Sequence, residues 1–127
     1  MALPEELYDV FYVTQLTRGT VLQNIGVDRV RVRPWKSSQK HRHPVAETVL
    51  FFEQGACYIT INDDRHLVKA GDRIYIPAGA WHVVSAFQDE LVFISIQFPA
   101  IHDEATGRHD FEQFSEKEIK RDKQGIA

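Results

Sequence analysis

Several things are scarce in this 127-residue sequence, and each shortage removes a class of protein. There is one cysteine, Cys57, so the chain cannot close a disulfide on itself and calls for no oxidising compartment. No apolar run approaches the roughly 18 residues that read as a membrane span. The opening stretch MALPEELYDVF is acidic and lacks the basic segment and apolar core of an export signal. A cytoplasmic protein without membrane association is expected. Positive charge is not in excess: 15 Lys and Arg stand against 18 Asp and Glu, and the basic residues are scattered. That leaves no footprint for nucleic acid. Low-complexity segments and internal repeats are also missing, and the length suits one domain with a core of its own.

What is present reads as β-structure. From Thr20 onward, TVLQNI and DRVRVR are separated by Gly26, and Val30 and Val32 alternate with Arg29, Arg31 and Arg33, a solvated strand face. The runs ETVLFFE, CYITIN, RIYIP, HVVSAF and LVFISIQF follow. They are punctuated by turns at Asn62-Asp63-Asp64, Pro77-Ala78-Gly79 and Gln88-Asp89-Glu90. Short strands with no long helix between them indicate an antiparallel sandwich or barrel over about residues 20–99. Residues 4–12 fit a short helix and a strand equally well. After Pro99 the composition turns polar and charged, and Ser115 with Glu118 makes a capping-box pattern for a short helix through about Lys123.

The chemistry is concentrated in two short stretches, KHRHPVAE and GDRIYIPAGAWH. His41 and His43, two apart on a strand, face the same way. Glu47 shares their parity if the strand continues, and His82 enters from another strand. Imidazole and carboxylate converging on a point suit one divalent first-row ion, iron, nickel, zinc or manganese. A buried cluster of three imidazoles and a carboxylate is costly unless something positive sits among them.

In these residues the chain resembles the cupin superfamily. Residues 41–47 match the His-x-His-x3-Glu core of its first motif, and Gly71, Pro77, Gly79 and His82 match its second without a gap. Three positions depart from the pattern. Trp35 stands at the leading glycine of the first motif, seven residues rather than six separate Glu47 from Gly55, and Ala86 replaces the closing asparagine of the second. The longer spacing suggests a bulge or a shifted turn. The resemblance implies an all-β, single-domain antiparallel jelly-roll barrel with the C-terminal extension 100–127 outside it. It also implies metal ligation by His41, His43, Glu47 and His82, with coordination positions left open.

Alternation extends the reading to the walls. Cys57, Ile59, Ile61, Ile74, Ile76, Val84 and Ala86 should point inward, with Val49 and Phe51 on the side of Glu47. Tyr58 and Thr60 should face out. Cys57 is read as a small core residue, Gln97 as a polar candidate for substrate contact with its facing open, and His66 in a turn, with His102 and His109 in the tail, as surface residues. The expected ligand is a small organic molecule. Two functions stay open. One is a small metalloenzyme acting on an oxygen-rich substrate (a dioxygenase, or a sugar or hydroxy-acid isomerase, epimerase or lyase), with Glu47 as a catalytic base. The other is a non-catalytic binding module in which the metal anchors a ligand or pins the fold. A homodimer is expected from the mixed aromatic and polar outer surface.

Overall fold

The computed structural model describes residues 2–103 and 106–115; the helix expected after Ser115 lies outside them. In chain order the strands are β1 (Glu5–Tyr8), β2 (Phe11–Gln15), β3 (Gly26–Val32), β4 (His41–Arg42), β5 (Glu47–Gln54), β6 (Ala56–Ile61) and β7 (Asp64–Lys69). They continue as β8 (Arg73–Ile76), β9 (His82–Ala86), β10 (Leu91–Phe98), β11 (His102–Asp103), β12 (Arg108–His109) and β13 (Glu112–Gln113). Antiparallel pairing arranges them in a six-stranded sheet, β1-β2-β3-β10-β5-β8, and a five-stranded sheet, β13-β4-β9-β6-β7, with β11-β12 as a separate hairpin. No helix among the described residues is long and apolar enough to cross a membrane.

The two large sheets close on one core because their inward residues are apolar. Val30, Val32, Leu50, Phe52 and Phe93 of the first meet Cys57, Ile59, Val84 and Ala86 of the second. The inward set expected for β6, β8 and β9 is therefore observed, with Ile61 and Ile74 packed at the margin of the core. Arg29, Arg31 and Arg33 alternate with buried valines as expected. The Arg31 guanidinium donates to the Glu5 carboxylate at 2.6 and 2.8 Å and to Glu90 at 2.9 Å.

Two of the three motif departures have a counterpart in the structure. Trp35 adopts φ 65°, the left-handed region glycine favours, at the position where the family motif carries glycine. The β5–β10 ladder carries an irregularity just before Gly55. Val92 faces Gln54 while Phe93 faces Phe52, so Glu53 is the bulged residue. Gly55 itself is obligatory, because φ is 80° and a Cβ would lie 2.6 Å from the Glu90 carbonyl oxygen.

Three expectations need correction. Residues 20–25 are turns rather than strand: Thr20, Gln23 and Ile25 donate backbone bonds three residues back, and the Thr20 hydroxyl bonds Thr17 O and accepts from Leu22 N. A local hydroxyl competing for backbone groups is a known alternative to a sheet ladder. His66 lies on β7 and not in a turn, and is exposed as expected. Val49 and Phe51 face away from the core, with Phe51 46% exposed, while Thr48, Leu50 and Phe52 are buried. The open choice at residues 4–12 resolves as the β1–β2 hairpin, turning at Asp9 with φ 56°.

Candidate metal centre

His41 and His82 are direct cross-strand partners on β4 and β9. His43 follows where β4 ends, and its carbonyl accepts from Gly79 N at 2.9 Å, so the Pro77-Ala78-Gly79 turn clamps the two motifs together. One nitrogen from each of the three rings lies within 4.8 Å of the others. Ring centroids are 4.1 Å apart for His41–His82, 5.4 Å for His41–His43 and 5.3 Å for His43–His82.

Each ring also spends its Nδ1 on a backbone carbonyl. His41 reaches Gln39 O at 2.9 Å, His82 reaches Ala80 O at 3.0 Å, and His43 reaches Asp110 O at 2.7 Å. A carbonyl oxygen only accepts, so each Nδ1 carries the proton and each neutral ring keeps a bare lone pair on Nε2. Burial is the main cause that keeps the rings neutral. It lowers His41 below its ordinary value, takes His43 down to about 4, and takes His82 down to about 3 with help from neighbouring His41. Three converging lone pairs with no donor among them repel one another unless an electrophile sits between them. The residues present therefore fit a divalent transition metal held by nitrogen.

Glu47 is not brought to this point. It is exposed at the start of β5, and the Tyr75 hydroxyl bonds its side chain. Parity fails because the strand does not continue through residues 43–46. The chain bends at Pro44, and Val45 N and Ala46 N turn inward to the buried Asp110 carboxylate at 3.1 and 2.7 Å. The inward set shifts by one residue, and Thr48 takes the place expected of Glu47. Among the described residues, no carboxylate joins the three histidines.

The C-terminal segment, a tail expected to pack against the barrel or a partner, returns over the site itself, which the sequence reading did not place. Phe111 stacks on His41 at 5.2 Å and 23°, β13 pairs with β4, and Arg42 holds Glu112 through a two-pronged ion pair. His109, exposed as expected, meets the half-buried His102 at the cavity rim, with their Nδ1 atoms 2.9 Å apart. Nothing local in a polar tail signals this docking.

Above the histidines opens a cavity of about 380 Å³, with apolar walls from Val13, Val30, Leu50, Ile76, Val84 and Phe93. Polar groups enter it from the opposite sheet: Asp28 on β3, Ser95 and Gln97 on β10, and Thr48 on β5. Gln97, whose facing the sequence left open, points inward and is 1% exposed. Its Nε2 donates to Asp28 Oδ2 at 2.9 Å and to Ser95 Oγ at 2.6 Å. Burial pushes the Asp28 carboxyl up to about 6, with the Gln97 bond opposing. A smaller cavity of about 270 Å³ lies behind Asp28 and Gln97 and includes none of the three clustered histidines.

The sequence matches the family description of the cupin domain over residues 28–97, more than half the chain, and the protein belongs to the cupin family. Comparison with curated proteins gives no match. Among solved structures, the plu4264 protein of Photorhabdus luminescens is similar at 28% identity, with 84% of each chain covered and a TM-score of 0.66. A proposed sugar phosphate isomerase of Acidithiobacillus ferrooxidans is similar at 19% identity, covering 90% of this chain and 85% of that one, with a TM-score of 0.68. A predicted oxalate decarboxylase of Thermotoga maritima is similar at 16% identity, covering 78% and 99%, with a TM-score of 0.67.

Two measurements follow from this geometry. Protein loaded with zinc or manganese and then desalted should hold one metal per chain by elemental analysis. His82→Ala should lose it, whereas Glu47→Gln should keep it; a Glu47→Gln protein without metal would mean the carboxylate reaches the ion. Asp28 sets a pH dependence. Its folded carboxyl titrates above its unfolded value, so the folded state holds this proton more tightly. The resulting stabilisation is complete below about pH 4 and is lost as pH rises through about 6. Urea denaturation of Asp28→Asn, compared with wild type, should show the variant gaining up to roughly 3 kcal/mol in relative stability between pH 4 and pH 7.5. A difference that does not change with pH would place Asp28 in water.

Proposed function

We propose that this cupin is a small metal-dependent enzyme acting on an oxygen-rich organic substrate, with His41, His43 and His82 as the protein ligands of one divalent transition ion. The observation that carries the reading is the convergence of three neutral imidazoles at the floor of a cavity with room for a small molecule. Three nitrogen ligands leave a four- to six-coordinate ion with open positions, as catalytic sites require and closed structural sites do not. When bound, such an ion supplies Lewis acidity to a coordinated oxygen.

The chain's own residues do the rest. The carbonyls of Gln39, Ala80 and Asp110 orient the rings, Phe111 stacks on His41 beside the apolar walls, and Asp28 is the buried carboxylate of the lining, with exposed Asp9 at its edge. A proton-acceptor role assigned to Glu47 has no geometric support. At 16–19% identity the neighbours named for sugar phosphate and oxalate chemistry share the fold alone, so the substrate class is argued from the cavity.

One observation favours the second reading, a binding module without catalysis: the histidine cluster has no carboxylate beside it among the described residues. A homodimer belongs to the proposal as well, because Phe51, Tyr75, Ile96 and Phe98 are all exposed on the outer face of the six-stranded sheet. Sedimentation at micromolar concentration decides that point.

The discriminating experiment is elemental analysis of protein purified without added metal, followed by oxygen uptake against a panel of hydroxy acids and sugars. Iron with substrate-dependent uptake supports a dioxygenase. Zinc, nickel or manganese without uptake, but with turnover of a panel member, supports isomerase or lyase chemistry. Metal and ligand binding with no turnover of any panel member would favour the binding module.

A further inference from the structure

The histidines account for one side of the cavity only. They stand on the five-stranded sheet, while the polar residues Asp28, Ser95, Gln97 and Thr48 stand on β3, β10 and β5 of the sheet opposite. Their placement is contiguous: in the ladder Ser95 faces Asp28 on one side, and Gln97 faces Thr48 on the other. All four are at most 7% exposed, in a barrel whose other inward positions on these strands, Val30, Leu50, Phe52 and Phe93, are apolar.

Folding alone gives no reason for this patch. A buried carboxylate held by a neutral amide is costly, and burial pushes the Asp28 carboxyl up to about 6. Gln97 Nε2 is directed at Asp28 and Ser95, because a carboxylate oxygen can only accept. The Thr48 hydroxyl is 3% exposed as a residue and finds no hydrogen-bond partner among the described residues. Thr48 lines the cavity, and a turn of its side chain about χ1 brings the orphaned hydroxyl to a ligand there. A carboxylate that accepts and a hydroxyl that donates or accepts are together complementary to alcohol groups. An alkyl chain would leave both unmet.

We propose that Asp28 and Thr48, supported by Gln97 and Ser95, form a hydroxyl-recognition subsite facing the histidines, and that the ligand is a polyhydroxylated acid. Its carboxylate end lies at the metal and its hydroxyl-bearing carbons lie against the opposite sheet. The inference rests on the metal-site reading above and adds the substrate class to it.

The probes are two six-carbon acids that differ in hydroxyl groups, D-gluconate and hexanoate, titrated calorimetrically into zinc-loaded protein. Gluconate should bind at least 10-fold more tightly than hexanoate. Asp28→Asn and Thr48→Val should each weaken gluconate at least 10-fold without weakening hexanoate and with the one-metal stoichiometry unchanged. Equal affinity for the two acids, no binding of either, or variants that bind gluconate as wild type does would overturn the subsite. Metal-free protein supplies a readout independent of any ligand. Thr48→Val removes an unmet hydroxyl and should raise the melting temperature; a lower one would show the hydroxyl engaged in the fold and would overturn the proposal. Loss of the metal reading is separately visible, as wild-type protein that binds no zinc.

Discussion

Three hydrogen bonds from imidazole Nδ1 to backbone carbonyl govern the site. Two of them are local and alike: His41 and His82 each reach the carbonyl two residues before them, on partner strands. The third ties His43 to Asp110, 67 positions away in sequence. Without these bonds a buried neutral imidazole would be free to take either tautomer and to turn its ring. With them, all three Nε2 lone pairs are left bare, and the barrel presents three nitrogen donors to one point. Asp110 serves twice, since its carboxylate also receives Val45 N and Ala46 N and so bends the chain between β4 and β5. The same residue that orients one histidine thus turns Glu47 away from the cluster.

The cavity follows from where the core stops being apolar. Toward Phe52, Ile59 and Leu91 the inward side chains are apolar and fully buried between the sheets. Toward β4 and the ends of β3, β5 and β10, the inward positions change to histidine on one sheet and to Asp28, Thr48, Ser95 and Gln97 on the other. Close packing with side chains of this kind would bury polar groups without partners. The volume stays open instead, and the C-terminal segment covers it through Phe111 and the Arg42–Glu112 pair. Fold and site are in this sense one design: the barrel is packed at one end by valine, leucine and phenylalanine and left open and polar at the other.

Much of this was legible in the sequence wherever local rules run uninterrupted. Strand alternation placed Cys57, Ile59, Ile76 and Val84 inside, and the spacing from Gly71 to His82 placed the third histidine opposite the first two. A bulge before Gly55 was also legible, and it falls at Glu53. Alternation failed at Glu47 because counting by twos assumes an unbroken strand, and Pro44 together with a side chain from residue 110 breaks it. Reading residues 20–25 as strand failed because the Thr20 hydroxyl satisfies backbone groups that a ladder would otherwise claim. The roles of Asp110 and Phe111 were illegible, since they act through contacts some seventy residues away with no periodic signal. Asp28 was a missed opportunity: it has the parity of Val30 and Val32, and a carboxylate in that row is itself a mark of function.

The central claim, that the fold holds three neutral imidazoles with Nε2 bare, is tested most directly by long-range nitrogen–proton correlation spectroscopy on metal-free protein at neutral pH. Single-histidine variants would assign the signals. The account predicts that His41, His43 and His82 all show the Nδ1-protonated tautomer. A proton on Nε2 of any of them, or a doubly protonated ring, would contradict it.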